Sequence, residues 1–221
     1  MHSWKVVVAG EGGQGVQALA ESLALAAFRG GFEALYIPNF GIEQRGGVSL
    51  AMVQISPKAI GAPKFLLADL GVALSARSIS RTRQYRGANT IFIYDSSLVK
   101  APEISDEVVG LQAYDTIAPE AFAERTAYHE EGPVKELRIA RSIAIPAADM
   151  ARRELHPRVF NMIILGAIVA VVKMVTLEQV KEALAEKLER RFKADPQLRE
   201  LNFRALQLGY EQVAGPVHTA V

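Results

Sequence analysis

Cysteine is absent from all 221 residues. No disulfide can form, no thiolate can serve as a nucleophile, and no iron–sulfur cluster can be held by cysteine within this chain. The lack fits a cytoplasmic protein. An excess of one charge is nearly absent too: 25 Lys+Arg against 24 Asp+Glu leave a formal net charge of +1. No broad electrostatic field for nucleic acid or membrane follows from that balance. Long apolar runs are also missing. The most apolar stretch, Val159 to Val172, falls short of the about 20 residues that a membrane span needs. Arg158, Asn161 and Lys173 bracket or interrupt it. A helix buried on all sides, inside the protein or at a subunit interface, is the better reading. The chain enters its first strand almost at once, so no signal peptide is expected.

Other chemistries lack their residues. His129-Glu130-Glu131 has no second histidine at ligand spacing, which favours a solvated turn over a metal site. Asp95, Ser96 and Ser97 have no histidine placed by sequence for a hydrolase triad. They read as a cap on a loop at the edge of a crevice. Arg77, Arg81, Arg83 and Arg86 come without interleaved aromatics and read as a solvated helix face.

What is present is a good core, with 50% hydrophobic residues, in an order typical of α/β proteins. Lys5 to Ala9 is a buried strand, and the helix after Gly15 keeps Leu19, Leu23, Ala26 and Ala27 on one face. Strands follow at about Ala34 to Ile37, Val48 to Ile55, Ala68 to Leu74 and Thr90 to Asp95, and a last one at Arg138 to Pro146. The stretch between the second and third strands has no helical period, so at least one strand should run antiparallel. Ser75 to Arg86 reads as a short basic helix. Residues 101–135 carry weak periodicity, with one helix around Pro119 to Arg125. From Ala147 the chain turns helical: a short helix to Glu154, the apolar helix Arg158 to Val175, and one capped by Thr176 and Gln179 that runs to about Phe192. The last helix starts at Asp195-Pro196, with Gly209 marking its end and a frayed tail after Gly215. The fold class expected is therefore α/β. It is a three-layer α/β/α, Rossmann-like, with a mostly parallel, mixed sheet and C-terminal helices packed back on it. One domain is expected over 1–221, with a sheet body over 1–146 and a helical part over 147–214.

The chemistry concentrates in two glycine loops. Gly10, Gly12 and Gly15 fit the G-x-G-x-x-G spacing, in which free N–H groups at a helix N-terminus face an anion. A dinucleotide site would also need an acid about 20 residues further on to hold the ribose. The second strand ends instead in Asn39, and Glu33 lies at its wrong end. The second loop, Gly41-Ile42-Glu43-Gln44-Arg45-Gly46-Gly47, should reach the same crevice at the carboxyl edge of the sheet. An arginine beside paired glycines makes a phosphate seat. Arg45 could equally form a surface pair with Glu43 or Glu11, and the glycines could serve packing alone.

Taken together, Gly10-Glu11-Gly12-Gly13-Gln14-Gly15 and Phe40-Gly41-Ile42-Glu43-Gln44-Arg45-Gly46-Gly47 resemble the gamma subunit of the 2-oxoacid:ferredoxin oxidoreductases. That family pairs a G-x-G-G-Q-G turn with a Y-G-x-E-x-R-G-G loop, and Phe40 stands where many members have Tyr. Ile60 and Pro63, Ala68-Asp69 and Tyr94-Asp95-Ser96-Ser97 match further along. Arg158, Asn161, Met162, Leu165 and Gly166 are similar to its R-x-x-N-M-x-x-L-G helix, and Asn202 and Gly209 to its closing N-x-x-A-L-x-x-G.

The resemblance implies an enzyme that oxidatively decarboxylates a 2-oxoacid, forms an acyl-CoA and reduces ferredoxin. Thiamine diphosphate would lie in the alpha and beta subunits and iron–sulfur clusters in beta or delta. This chain would bind no cofactor alone, carry no catalytic residue and share the coenzyme A pocket. Gly10, Gly12, Gly13, Gln14, Gly15, Gln44, Arg45, Gly46 and Gly47 would be its binding residues. The loop leans to the 2-oxoglutarate and pyruvate branch, 2-oxoglutarate first. A stand-alone dinucleotide oxidoreductase and a purely structural scaffold are the alternatives.

Overall fold

A computed structural model of the chain describes residues 2–39, 47–98 and 141–215. Within them β1 (Trp4–Glu11), β2 (Glu33–Asn39), β3 (Val48–Ser56), β4 (Leu70–Ala73), β5 (Ile91–Asp95) and β6 (Arg141–Ile145) form one sheet. Its order is β2-β3-β1-β4-β5-β6. β1, β4, β5 and β6 run parallel, and β3 runs antiparallel to both β1 and β2. The reversed strand expected from sequence is thus β3. The link from Asn39 to Val48 is too short for a helical crossover, so the chain must turn back on itself.

The β-branched run of β1 explains why this strand lies inside. Val6, Val7 and Val8 are each fully buried. Alternate residues point to opposite faces. Val6 and Val8 join a large core with Leu19 and Leu23 of α1 (Val16–Arg29), and with the apolar helix that follows later. Val7 packs on the other face with Leu50, Met52 and Phe65. Further along that face Ala73, Phe92 and Tyr94 meet Ile79 of α2 (Ala76–Thr82). Helices cover both faces, as an α/β sheet of parallel strands requires.

After β6 come α3 (Ala147–Glu154), a 3-10 turn (Pro157–Val159), α4 (Phe160–Val172), α5 (Leu177–Lys187), α6 (Glu189–Ala194) and α7 (Pro196–Ala214). Every residue of α4 from Asn161 to Ala170 is buried. The expected all-round burial is met by this chain's own sheet and helices. α4 stops before Val175 because Lys173 turns into the left-handed region at φ 54°. Thr176 then caps α5 with the expected box. The Thr176 N–H donates to Gln179 Oε1 at 2.8 Å, and the Gln179 N–H donates to Thr176 Oγ1 at 3.2 Å. α5 lies on α1, with ion pairs Arg29–Glu186 and Lys187–Glu21 at its rim.

Three expectations are corrected. The helix expected to run to Phe192 breaks at Leu188, where φ −107° and ψ 15° leave the helical range. The break carries Phe192 edge-on to Phe203 of α7, ring centroids 6.1 Å apart. Gly209 does not end the last helix, which continues to Ala214. It sits where α7 touches α4, and a β-carbon there would stand 1.7 Å from the Ile163 carbonyl oxygen.

The third correction concerns Arg86, expected in solvent and found 6% exposed. It follows the 3-10 turn Arg83–Tyr85 after α2. Its Nη2 donates to the Ile79 carbonyl and, at 2.9 Å, to Thr82 Oγ1, and its guanidinium lies 4.0 Å from the Phe92 ring centre. The side chain closes the C-terminal end of α2, where a cation suits the helix dipole. Its Nε has no partner among the described residues. Burial first, and Arg83 second, push its pKa down to about 10, so it stays charged at neutral pH.

A buried cation without a carboxylate adds little net stability, because desolvation offsets what its bonds contribute. Its volume matters more. Arg86→Met is therefore expected to stay within ~1 kcal/mol of wild type. Arg86→Ala, which leaves a void, should lose ~2–4 kcal/mol. Urea melts of the two variants make the comparison. A methionine variant as damaged as the alanine one would assign the stability to the guanidinium bonds.

The expected helix at Pro119 to Arg125, residues 138–140 of the last strand and the tail after Gly215 lie outside the described residues.

Candidate functional site

β1 delivers the chain to the carboxyl edge of the parallel strands, and α1 takes it away. The turn between them is held by Gln14. Its N–H donates to the Glu11 carbonyl at 3.1 Å, and its Oε1 accepts the Glu11 N–H at 2.7 Å. Its Nε2 donates to the Leu74 carbonyl at 3.1 Å, just past the end of β4. The Leu74 N–H in turn donates to the Ala9 carbonyl at 2.9 Å. Gln14 is thereby a clamp between β1, β4 and the turn. Its N–H, expected to be open to an anion, is already bonded.

The glycines divide in role. A β-carbon on Gly10 would stand 2.7 Å from Val16 Cγ2 and 2.9 Å from Gln14 Oε1. Gly10 is buried and is a packing position against those side chains. Gly15 takes φ 77° at the N-cap of α1, a conformation that costs glycine nothing. Gly12 and Gly13 are exposed, and Gly13 has φ 91° with open space where a side chain would begin. The bare backbone a phosphate could approach is therefore Gly12-Gly13.

The first turn of an α-helix carries N–H groups without intrahelical acceptors. In α1 no side chain among the described residues caps them, and no acidic residue lies in the first turn. Among the described residues nothing neutralises the positive end of this 14-residue helix. Gln17, one residue into the helix, is held elsewhere. Its Nε2 donates to Ser49 Oγ at 2.6 Å and to the Leu50 carbonyl at 3.1 Å, and its Oε1 accepts from the Tyr36 hydroxyl at 2.7 Å. Burial, then Glu21, raises the Tyr36 pKa, so this phenol is a proton-bearing donor at neutral pH. This Gln17–Tyr36–Ser49 network fixes β2 and β3 to α1. Its sequence signal was a lone glutamine at the start of an apolar helix.

The second glycine loop leaves β2 at Asn39 and returns at Gly47, which is half-buried. Val48 pairs with Glu11 and Ser49 with Gly10, so the returning strand stands directly across from the first glycine turn. Gln44, Arg45 and Gly46 lie outside the described residues. On the other side of the turn Asn161 of α4 meets Gly15. A β-carbon on Gly15 would lie 2.3 Å from Asn161 Nδ2.

Asp95 ends β5, two strands away. Its Oδ1 accepts the Ser97 N–H at 3.0 Å and its Oδ2 the Ala148 N–H at 3.0 Å. It holds the Ser97 turn, as the expected loop cap would, and it also caps α3 from outside that helix. Burial raises its pKa against these donors.

Among the described residues no group of three or more His, Asp or Glu is placed to hold a metal ion. No helix among them is long and apolar enough to cross a membrane. A dinucleotide site is disfavoured by topology as well as by Asn39. The strand beside β1 on that side is the reversed β3, so β2 does not present its carboxyl end next to the glycine turn.

The family model of the pyruvate ferredoxin/flavodoxin oxidoreductases matches residues 5–212. The ketoisovalerate oxidoreductase subunit VorA of Methanothermobacter thermautotrophicus is 28% identical over 207 residues, 94% of this chain and 36% of that protein. This chain thus spans about a third of the length of that relative. The 2-oxoglutarate synthase subunit KorC of Methanothermobacter marburgensis is 29% identical over 210 residues, covering 95% of this chain and 96% of its own. The solved 2-oxoglutarate:ferredoxin oxidoreductase of Magnetococcus marinus, with 2-oxoglutarate, coenzyme A and succinyl-CoA bound, has the same fold over 98% of this chain and 32% of its own. Its TM-score is 0.72 at 20% identity. Matched over nearly its whole length, with its glycine turn and α/β sheet in place, the chain belongs to the pyruvate ferredoxin/flavodoxin oxidoreductase family.

Proposed function

We propose that this chain works inside a multi-subunit enzyme that oxidatively decarboxylates a 2-oxoacid to an acyl-CoA and passes the electrons to ferredoxin. The chain's own part is to seat the diphosphate of coenzyme A. The observation that carries this is the N-terminus of α1, uncapped by any described side chain, free of acid in its first turn and entered through the exposed pair Gly12-Gly13. Gly13 leaves the space over its backbone empty. Gln14 and Gln17 are occupied in holding the scaffold rigid. Arg45, with Gln44, Gly46 and Gly47, would add a forked guanidinium from the second loop.

The Magnetococcus structure, with coenzyme A and succinyl-CoA bound, supports the choice of ligand. The relatives' names range over ketoisovalerate and 2-oxoglutarate, and 2-oxoglutarate is the acid we favour here. The chain has no cysteine, so cysteine-held clusters are assigned to beta or delta partners, and thiamine diphosphate, as the family resemblance implies, to the alpha and beta partners.

Co-expression with the neighbouring subunit genes and calorimetry of the purified complex test the proposal. The complex should bind coenzyme A and should not bind NAD. NAD binding by the chain alone would return the dinucleotide reading. A complex that binds coenzyme A unaltered when the glycine turn is blocked would leave the scaffold reading.

A further inference from the structure

Asn161 is the polar exception in an apolar helix. It is 9% exposed, and its carboxamide has no hydrogen-bond partner among the described residues. Arg86 Nε is the one fully buried side-chain polar atom without a partner among the described residues. The Asn161 amide therefore keeps access to solvent, and a polar group there, in an otherwise apolar helix, needs a reason. The helix it opens would gain from an aliphatic side chain at that position. Its surroundings supply the reason. The amide presses against Gly15, and a β-carbon on Gly15 would stand 2.3 Å from Asn161 Nδ2 and 3.2 Å from Cγ.

Gly15 is the N-cap of α1, and Asn161 lies in the first turn of α4. Among the described residues neither helix has a side-chain cap, and neither has an acidic residue in its first turn. The positive end of α1 therefore faces the amide, whereas α4 is entered through the 3-10 turn Pro157–Val159, whose Arg158 N–H donates to His156 Nδ1 at 3.2 Å. α1 is 14 residues long, so it has a full dipole.

We propose that Asn161 contacts the ligand: its amide donates to a phosphate oxygen of the diphosphate group seated on α1. This rests on the anion-seat reading above and adds a residue from a second helix to it. A diphosphate suits the place better than a carboxylate. Donors flank Gly15 on both sides, and a diphosphate offers oxygens in more than one direction. Asn161 is also where ligand binding would be felt by the C-terminal helices, since α4 carries α7.

The test uses the complex of this chain with its partner subunits, with coenzyme A as the titrant and inorganic pyrophosphate as the competitor. Asn161→Asp keeps the side-chain shape and replaces a donor by a charge like that of the ligand. It should weaken coenzyme A and pyrophosphate at least tenfold, with the ligand-free melting temperature and the affinity for the 2-oxoacid close to wild type. Asn161→Ala, which removes the amide without adding charge, should weaken both ligands less and carries the test should the aspartate variant not fold. Gly12→Asp, at an exposed position of the turn, separates the two readings. If Gly12→Asp weakens binding and neither Asn161 variant does, the assignment of Asn161 is overturned and the seat stands. If none of the three weakens binding, the seat is wrong and the assignment goes with it.

Discussion

Gly209→Ala is expected to cost about 3 kcal/mol or more, the upper end of what overpacking does. In an ordinary helix interior the change would be favourable by ~1 kcal/mol, because alanine is the better helix former. The sign reverses here because of what the new methyl meets. It would lie 1.7 Å from the Ile163 carbonyl oxygen, 2.5 Å from its carbon and 2.9 Å from its Cα. These are backbone atoms of a helix, and no rotamer change moves them. Gly166 faces the same crossing from α4, where a β-carbon would meet the Leu206 oxygen at 2.0 Å and the Tyr210 nitrogen at 2.8 Å. Either substitution forces α4 and α7 apart and opens voids among Ile163, Leu206 and their neighbours.

For a chain of this size each 1 kcal/mol moves the melting temperature by roughly 2–4 °C, so Gly209→Ala should melt roughly 10 °C early. Gly61→Ala, with open space around it, is the control. A Gly209→Ala protein that melts with the control would show that the two helices are not held in backbone contact.

That crossing shows where reading the sequence stops. Glycine near the end of an apolar stripe is a good stop signal, and Gly209 sits where one would stand. Only the partner helix, far away in the chain, reveals that the glycine marks a contact. Arg86 failed for a related reason: four arginines in one short segment look alike until one of them lies over Phe92. The strands were legible because Val6 to Val8 and Val48 to Ile55 carry their burial in their own side chains. The reversed strand was legible from a connection with no helical period.

At the site, the glycine spacing located the turn. It did not say that Gly10 packs, that Gly12 and Gly13 stay bare, or that Gln14 reaches Leu74. Each of those depends on β4, and the meeting of Gly15 with Asn161 depends on how α4 lies against α1. Local pattern decides which element forms. Which side chain is spent on the scaffold, and which is left for a ligand, is decided by the packing of elements distant in sequence.

Arg45→Ala in the assembled enzyme should raise the Michaelis constant for coenzyme A by about one to two orders of magnitude. Under the proposed function Arg45 forks onto a phosphate that the α1 N-terminus also holds. A charged hydrogen bond contributes roughly 1.5–3 kcal/mol, and each 1.4 kcal/mol is about tenfold in binding. Arg45→Lys keeps the charge and loses the fork, so it should fall between wild type and alanine. The constant for the 2-oxoacid should hardly move, since the thiamine-binding partners would hold the acid.

Two other roles for Arg45 predict different data. If it pairs with Glu11 or Glu43, the alanine variant loses little, because an exposed ion pair is worth ~0–1 kcal/mol. If it touches a partner subunit, the complex should dissociate or melt earlier. Val48 pairs with Glu11, so the loop that carries Arg45 returns to the sheet opposite the glycine turn. Gel filtration and melting on the samples used for kinetics separate the three. An intact, equally stable complex with unchanged coenzyme A kinetics would remove Arg45 from the site and leave the phosphate to the α1 N-terminus, with Gly12, Gly13 and Asn161.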